Sequence, residues 1–167
     1  VAFIIYAAEI SMTRRYLLSW RDTVAHYKYM LSYSPDQAVL HNNLALGWMS
    51  TGETDKAIEE YARSLQIKEA SHEVHNNLGN ALLGIGRTDE AIWHYKRAIE
   101  LTDGLKLIPS SPALGFAEAH YNLANALRSK GLFEEAAEHY KKALAIRPDN
   151  ADTYQNLGVV LAELNML

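Results

Sequence analysis

The chain has 167 residues, of which 49% are hydrophobic and 22% are charged, a composition that excludes a disordered chain and allows about one domain with a buried core. Its 16 basic and 20 acidic side chains give a net charge of −4, which excludes both a basic nucleic-acid-binding surface and a polybasic membrane patch. The absence of cysteine excludes disulfide scaffolds, zinc ribbons and thiol nucleophiles.

Helix breakers are scarce, with 4 prolines and 9 glycines, which predicts a mostly helical chain. The apolar run Val1–Ala8 is too short to cross a membrane, which takes about 20 apolar residues. We interpret it as part of a buried helix or, alternatively, as the end of a membrane span that precedes it. A helix-like stretch from Asp22 to Tyr33 follows and stops before Pro35. Residues 1–34 are therefore predicted to be a degenerate copy of the unit described next, or capping helices.

From residue 35 onwards the sequence repeats itself. Each copy contains a leucine preceded by asparagine, at Leu44, Leu78, Leu123 and Leu157. The first and last intervals between these leucines are 34 residues, and the middle one is 45, which is one period plus an insertion of 11. A fixed period of this length indicates a stack of helical repeats.

Each copy is predicted to form two antiparallel helices, which we call helix A and helix B. In helix A the leucine is followed by a small residue and, four positions on, by a large apolar one, as in Leu78, Gly79 and Leu82. In helix B an alanine is followed four positions on by tyrosine, as in Ala91 and Tyr95. Because residues four apart share a helix face, this pattern sets large side chains of one helix against small ones of the next.

The predicted helix ends carry their own signals. Gly52, Gly86 and Gly131 follow helix A, where a left-handed cap requires a positive φ, and Asn165 stands at that place in the fourth copy. Helix B is predicted to be capped by the side-chain oxygens of Thr54-Asp55 and Thr88-Asp89.

Together these residues resemble the tetratricopeptide repeat family. The family pattern of aromatic-x-x-Leu-Gly, then Tyr or Leu, Ala, an aromatic residue, Ala and Pro is met across residues 35–161, with Glu69 and Asp103 where proline is usual. The resemblance implies an all-α fold, a right-handed superhelical stack of antiparallel helix pairs. It places full repeats at 35–69, 70–104 and 117–150, an inserted loop at 105–116, and a C-terminal capping or truncated repeat helix at 151–167.

The A helices of such a stack line its concave face, where the resemblance implies a peptide-binding groove. The position before each repeat leucine faces that groove, and it is asparagine in every copy: Asn43, Asn77, Asn122 and Asn156. The predicted peptide-binding set also includes Asn80, Asn125, Tyr121 and Arg128. A side-chain amide offers two donors and an acceptor, which suits a peptide backbone. This asparagine ladder is similar to that of the superhelical arm of O-linked N-acetylglucosamine transferase; alternatively, the amides bond to the adjacent helix.

Charge on the predicted groove restricts its ligand. Glu73, Glu118 and Asp152 stand at groove positions, and Arg128 is the only basic residue at such a position. Carboxylates there would repel an acidic C-terminus, so the expected partner is a protein or peptide segment that is extended and neutral or basic.

Metal, cofactor and catalytic chemistry are not expected. Of the seven histidines, His41, His75 and His120 recur on helix A, and His94 and His139 recur on helix B, which repeat packing explains. The sequence has no glycine-rich phosphate loop and no Gly-x-Ser-x-Gly motif. We therefore expect a chain that is not an enzyme and that needs no cofactor.

The leading hypothesis is a non-catalytic scaffold that binds an extended segment of another protein. One alternative is the substrate-recruiting arm of a larger glycosyltransferase, soluble or membrane-bound. A second is a unit that assembles with itself through Val159, Val160 and the apolar N-terminus. The apolar loop at 105–116 suits packing on the stack and partner contact equally. A cytoplasmic location is favoured over a membrane-tethered soluble domain.

Overall fold

The computed structural model describes residues 23–103 and 113–166, and these residues form α-helices joined by short turns. The predictions for residues 1–22, for the insertion up to residue 112 and for Leu167 lie outside the described residues. The helices are α1 (Thr23–Tyr33), α2 (Ala38–Ser50), α3 (Thr54–Ile67), α4 (His72–Gly84), α5 (Thr88–Asp103), α6 (Ala113–Ser129), α7 (Phe133–Ile146) and α8 (Ala151–Met166). The all-α prediction is confirmed. None of the helices within the described ranges is long and apolar enough to cross a membrane.

The chain divides into two compact units, Val1–Glu69 and Ala70–Leu167. In the first unit α1 packs on α2 and α2 packs on α3. Leu44 of α2 and Tyr61 of α3 are buried between them, as the repeat pattern predicts. The Lys28 ammonium of α1 and the Lys56 ammonium of α3 lie 4.4 Å and 4.6 Å, respectively, from the ring centre of Trp48 on α2. These cation–π contacts connect α2 to both of its neighbours.

In the second unit α4 to α8 pack in chain order, and α4 also contacts α6. Its core is built from the repeated leucines and tyrosines, with Leu123, Leu127, Tyr95 and Tyr140 at most 1% exposed. The ring of Tyr95 lies directly over Gly79, so that a Cβ atom added at Gly79 would lie 2.6 Å from the Tyr95 ring. The small residue after the repeat leucine therefore allows helix B to approach helix A, as predicted.

The three glycine caps are confirmed. Gly52, Gly86 and Gly131 have φ values of +80°, +80° and +74°, and no other described residue has a positive φ. Asn165 was wrongly predicted as a cap, because α8 continues through it to Met166. The caps predicted at Thr54-Asp55 are also wrong, since the carbonyl of Glu53 already accepts the first helical bond from the Ala57 N–H (3.1 Å).

Alanine at Gly86 is expected to lower the free energy of unfolding by about 1–2 kcal/mol, because a residue with a Cβ is strained at φ +80°. Asparagine there should cost about half as much, since it tolerates this conformation better. A Cβ at Gly86 meets nothing within 4 Å, so the cost is purely conformational. Urea unfolding followed by circular dichroism measures both variants. Equal stability of the alanine variant and the unaltered protein would contradict the assignment.

Two further expectations need correction. The segment 105–116 was predicted to be a loop, but α6 begins at Ala113. The reason is local, because alanine and leucine at positions 113 and 114 favour a helix. Val160 was expected to be partly exposed at the terminal helix, yet it is fully buried, while its neighbour Val159 is 44% exposed. Only Val159 of this pair remains available to a partner.

Candidate functional site

The predicted peptide-binding residues fall in both units. Asn43 lies half-buried on α2 of the first unit, where the Asn42 amide donates to its side-chain oxygen at 3.5 Å. The others belong to the second unit, on α4, α6 and α8: Asn77, Asn80, Tyr121, Asn122, Asn125, Arg128 and Asn156.

Four of these residues are joined by hydrogen bonds between α6 and α8. The amide nitrogen of Asn156 donates to the Tyr121 hydroxyl (3.1 Å) and to Asn125 Oδ1 (3.3 Å). Its oxygen accepts from the Arg128 guanidinium at 3.2 Å. Asn156 is therefore used to join two repeats. Bonding to an adjacent helix, the alternative interpretation of the ladder, describes what this residue does.

A second polar connection joins α4 to α6. The Asn122 amide donates to Asn76 Oδ1 at 3.1 Å, and the Asn76 amide donates to Glu118 at 3.2 Å. Asn76 is a linking residue that the sequence analysis did not select. Its signal was the doubled asparagine before the repeat leucine, of which the first member is buried and the second half-buried.

Asn80 and Asn125 occupy equivalent positions and share one arrangement. The Tyr95 hydroxyl donates to Asn80 Oδ1 (2.8 Å), and the Tyr140 hydroxyl donates to Asn125 Oδ1 (2.6 Å). Burial raises the pKa of Tyr140 to about 12 and also raises that of Tyr95, so both hydroxyls stay protonated donors. Because each amide oxygen is committed to a tyrosine, the NH2 group is what each asparagine offers to another molecule.

A small cavity of about 100 Å³ lies beside Tyr121, at the meeting of α6, α7 and α8. It is lined by Ala117 and Ala143 and by the oppositely charged Glu118 and Arg147. Asn150 and Thr153 complete the lining. Arg147 comes from the turn after helix B, which the sequence analysis did not connect with the groove positions.

Acidic side chains dominate the exposed charge near these amides. Glu73, Glu118 and Asp152 are exposed on α4, α6 and α8, respectively. Arg128 and Arg147 are both half-buried, and Arg128 is bonded to Asn156, so the exposed charges on α4, α6 and α8 are those of the three carboxylates.

Histidines pair between helix A and helix B, which spacing alone did not reveal. The Nδ1 atoms of His75 and His94 lie 2.9 Å apart, and those of His120 and His139 lie 2.9 Å apart as well. Among residues 23–103 and 113–166, no group of three or more histidine or carboxylate side chains is placed to hold a metal ion.

Comparison with known proteins finds both family models and solved structures that match this architecture. A family model described as TPR repeat matches residues 49–86 and 124–165, and one described as tetratricopeptide repeat matches residues 72–103. No curated protein sequence matches the chain. The crystal structure of MamA is similar at 26% identity and a TM-score of 0.74, over 85% of this chain and 77% of that one.

Two other solved structures share the fold at lower identity. PilF of Pseudomonas aeruginosa is 22% identical with a TM-score of 0.76, over 96% of this chain and 69% of that one. The first TPR of Spaghetti (RPAP3), bound to the HSP90 peptide SRMEEVD, is 17% identical with a TM-score of 0.69, over 77% and 94%.

The family matches agree with the structure, which has helix pairs with glycine caps and a core of buried leucines and tyrosines. Members of the family are generally non-catalytic interaction modules. The chain belongs to the tetratricopeptide repeat family, and its stack of helix pairs is a protein–protein interaction scaffold.

Proposed function

We propose that the second unit holds an extended segment of a partner protein along α4, α6 and α8, with side-chain amides as the main contacts. The observation that carries this proposal is the pair of tyrosine-held amides, Asn80 and Asn125, on successive A helices. We refer to these two residues as the donor amides. Asn77 and Asn122 complete the surface, and Asn43 is proposed to play the same part in the first unit.

The donor amides suit the acceptors of a peptide backbone. Each NH2 group can donate to a ligand carbonyl, and its orientation is already set by the tyrosine that holds the amide oxygen. Packed helices lie about 8–10 Å apart, and an extended chain advances about 3.3 Å per residue. Successive A helices would therefore engage carbonyl groups roughly three residues apart, whatever the side chains of the partner.

The carboxylates of Glu73, Glu118 and Asp152 favour a partner segment that is neutral or basic. The Spaghetti repeat domain, which has the same fold, is bound to the peptide SRMEEVD, which carries three acidic residues. The exposed carboxylates on this chain disfavour such an acidic ligand. We therefore propose that its ligands carry lysine, arginine or no charge near the groove.

Changing both donor amides to aspartate, Asn80→Asp with Asn125→Asp, tests the proposal. Aspartate keeps an oxygen for the tyrosine and removes the NH2 donor. Peptides without charged side chains are first selected from a displayed random library on the full chain, so that the added carboxylates neither attract nor repel them, and their Kd is then measured by fluorescence polarisation. Two lost hydrogen bonds at about 1 kcal/mol each predict a weakening of roughly 10- to 30-fold.

The control carries the same change of charge elsewhere. Gln37→Glu with Gln66→Glu alters two exposed amides that lie on none of α4, α6 and α8. It should leave the Kd within about twofold, because exposed charges outside the contact surface are screened by salt. Equal Kd values for the two double variants would contradict the proposed role of the donor amides. Circular dichroism checks that both variants stay helical.

A further inference from the structure

Three equivalent contacts join helix A to helix B, each between residues 19 apart. In the first unit the contact is His41 with Glu60, at 2.6 Å between Nδ1 and Oε2. In the second unit both members of each contact are histidine: His75 with His94, and His120 with His139. The two histidine pairs have the same geometry, with ring centres 5.1 Å apart and ring planes inclined at 35°.

A histidine pair with its Nδ1 atoms 2.9 Å apart has a defined proton count. One neutral ring donates its Nδ1–H and the other accepts at Nδ1. A first added proton can bind Nε2 of the donating ring, which keeps the bond and makes that ring a cation. A second proton must bind the accepting Nδ1, which removes the acceptor and sets two cations side by side. The contact therefore accommodates one proton and is broken by two.

The surroundings of both pairs oppose the second proton. Burial, then the neighbouring His75, lower the pKa of His94 to about 4, with Arg87 adding to the effect and Glu90 opposing it. The Glu90 carboxylate is itself held by two bonds to Arg87, each 2.6 Å.

The second pair has two lysines among its charged neighbours. Burial, then His120, lower the pKa of His139 to about 4, and Lys142 of α7 and Lys96 of α5 act in the same direction.

The first unit has the opposite chemistry at the equivalent contact. His41 Nδ1 faces the Glu60 carboxylate at 2.6 Å, and its Nε2 lies 2.9 Å from the Pro35 carbonyl oxygen. Both partners are acceptors, so an imidazolium ring can donate to both at once. A proton added to His41 therefore keeps this contact, whereas two protons on a histidine pair break theirs.

We propose that the two histidine pairs are acid-sensitive latches, which hold α4 to α5 and α6 to α7 while neutral and loosen these helix pairs on acidification, while α2 and α3 stay held. The donor amides lie on α4 and α6, so acid would also release a bound segment; this last clause alone rests on the proposed function. The test below uses no ligand and separates the two proposals.

The expected size follows from the proton balance. The pKa of His94 and of His139 is about 4 when folded, against an ordinary value of about 6.5, so the unfolded chain binds more protons between these limits. The neutral histidine pairs therefore contribute their full stabilisation of the fold above about pH 6.5, and this contribution is lost as the pH falls towards 4. At pH 5 each histidine is expected to lower the folding equilibrium constant about 30-fold relative to neutral pH. We reduce this factor to about tenfold because both side chains are partly exposed.

Amide hydrogen exchange of the full chain, read by mass spectrometry at pH 7.0 and pH 5.0 and corrected for intrinsic exchange, tests the latches. Protection in α4–α7 should fall at least tenfold at the lower pH, and protection in α2–α3 by less than threefold. The variant His94→Glu with His139→Glu installs the contact of the first unit, and its α4–α7 segment should also lose less than threefold.

A loss of less than threefold in α4–α7 of the unaltered protein, or an equal loss in α2–α3, would overturn the proposal. So would a glutamate variant that loses as much protection as the unaltered protein. A second measurement needs no variant. Nitrogen-15 spectra of the histidine rings at pH 7 should show one Nδ1–H and one Nε2–H tautomer in each pair, and two Nε2–H rings per pair would equally refute the latch.

Discussion

Alanine at Gly79 is expected to lower the free energy of unfolding by about 2 kcal/mol. The added Cβ would lie 2.6–3.0 Å from three atoms of the Tyr95 ring, which is fully buried and bonded to Asn80. Because the ring is fully buried, it cannot shift without disturbing its neighbours, and overpacking of this kind costs about 1–3 kcal/mol. This cost exceeds the helix-propensity gain of up to about 1 kcal/mol that alanine brings.

The matched control for Gly79→Ala is Gly158→Ala, at the equivalent position of α8. A Cβ at Gly158 meets no atom within 4 Å, so only the helix-propensity gain remains and the variant should be stabler by about 0.5–1 kcal/mol. Urea unfolding followed by circular dichroism compares the two. Changes of the same sign in both variants would show that helix propensity, and not the contact with Tyr95, decides the effect.

Leucine at His41 is expected to cost about 3 kcal/mol of stability. Glu60 is only 9% exposed, and without His41 its carboxylate keeps one described partner, Arg63 at 3.1 Å. Removing one member of a buried pair leaves the other as an incompletely compensated charge, which costs about 3–5 kcal/mol. The Pro35 carbonyl also loses its bond to the ring.

The double variant His41→Leu with Glu60→Leu should recover at least half of that loss. Two apolar side chains of similar volume replace the pair and leave no charge behind. The same urea experiment, run as a double-mutant cycle, gives the coupling energy between the two residues. If the double variant is as unstable as the sum of the single ones, His41 and Glu60 act independently and the expectation is wrong.

Most of the fold follows from the repeat pattern alone. The alternation of leucine, small residue and tyrosine correctly placed Leu44, Leu78 and Leu123 in the core and the three glycines at positive φ. These features depend on contacts within one helix pair, which recur every 34 residues and are therefore visible in the sequence. The start of α6 was missed because it depends on local details that the period does not contain. The burial of Val160 was missed although the period contains it, since the equivalent positions Gly47, Ala81 and Ala126 are buried as well.

The candidate site was only partly predictable for a different reason. The spacing of asparagines places them on one helix face, but it does not reveal what each amide oxygen and nitrogen contacts. Asn122 meets Asn76 across 46 residues, and Asn156 meets Tyr121 across 35, so their partners come from other repeats. The two histidines of each pair lie 19 residues apart, on antiparallel helices joined by a turn. No simple periodicity links two such positions.

The bond between tyrosine and donor amide spans 15 residues and lies wholly within one helix pair, in α4–α5 and again in α6–α7. Duplication of such a segment copies the oriented NH2 group intact. The bonds of Asn122 and Asn156, in contrast, need a particular neighbour and do not survive transfer to another array. If the donor amides bind a partner as proposed, each added copy of the segment would give the array one more oriented NH2 group for contact with that partner.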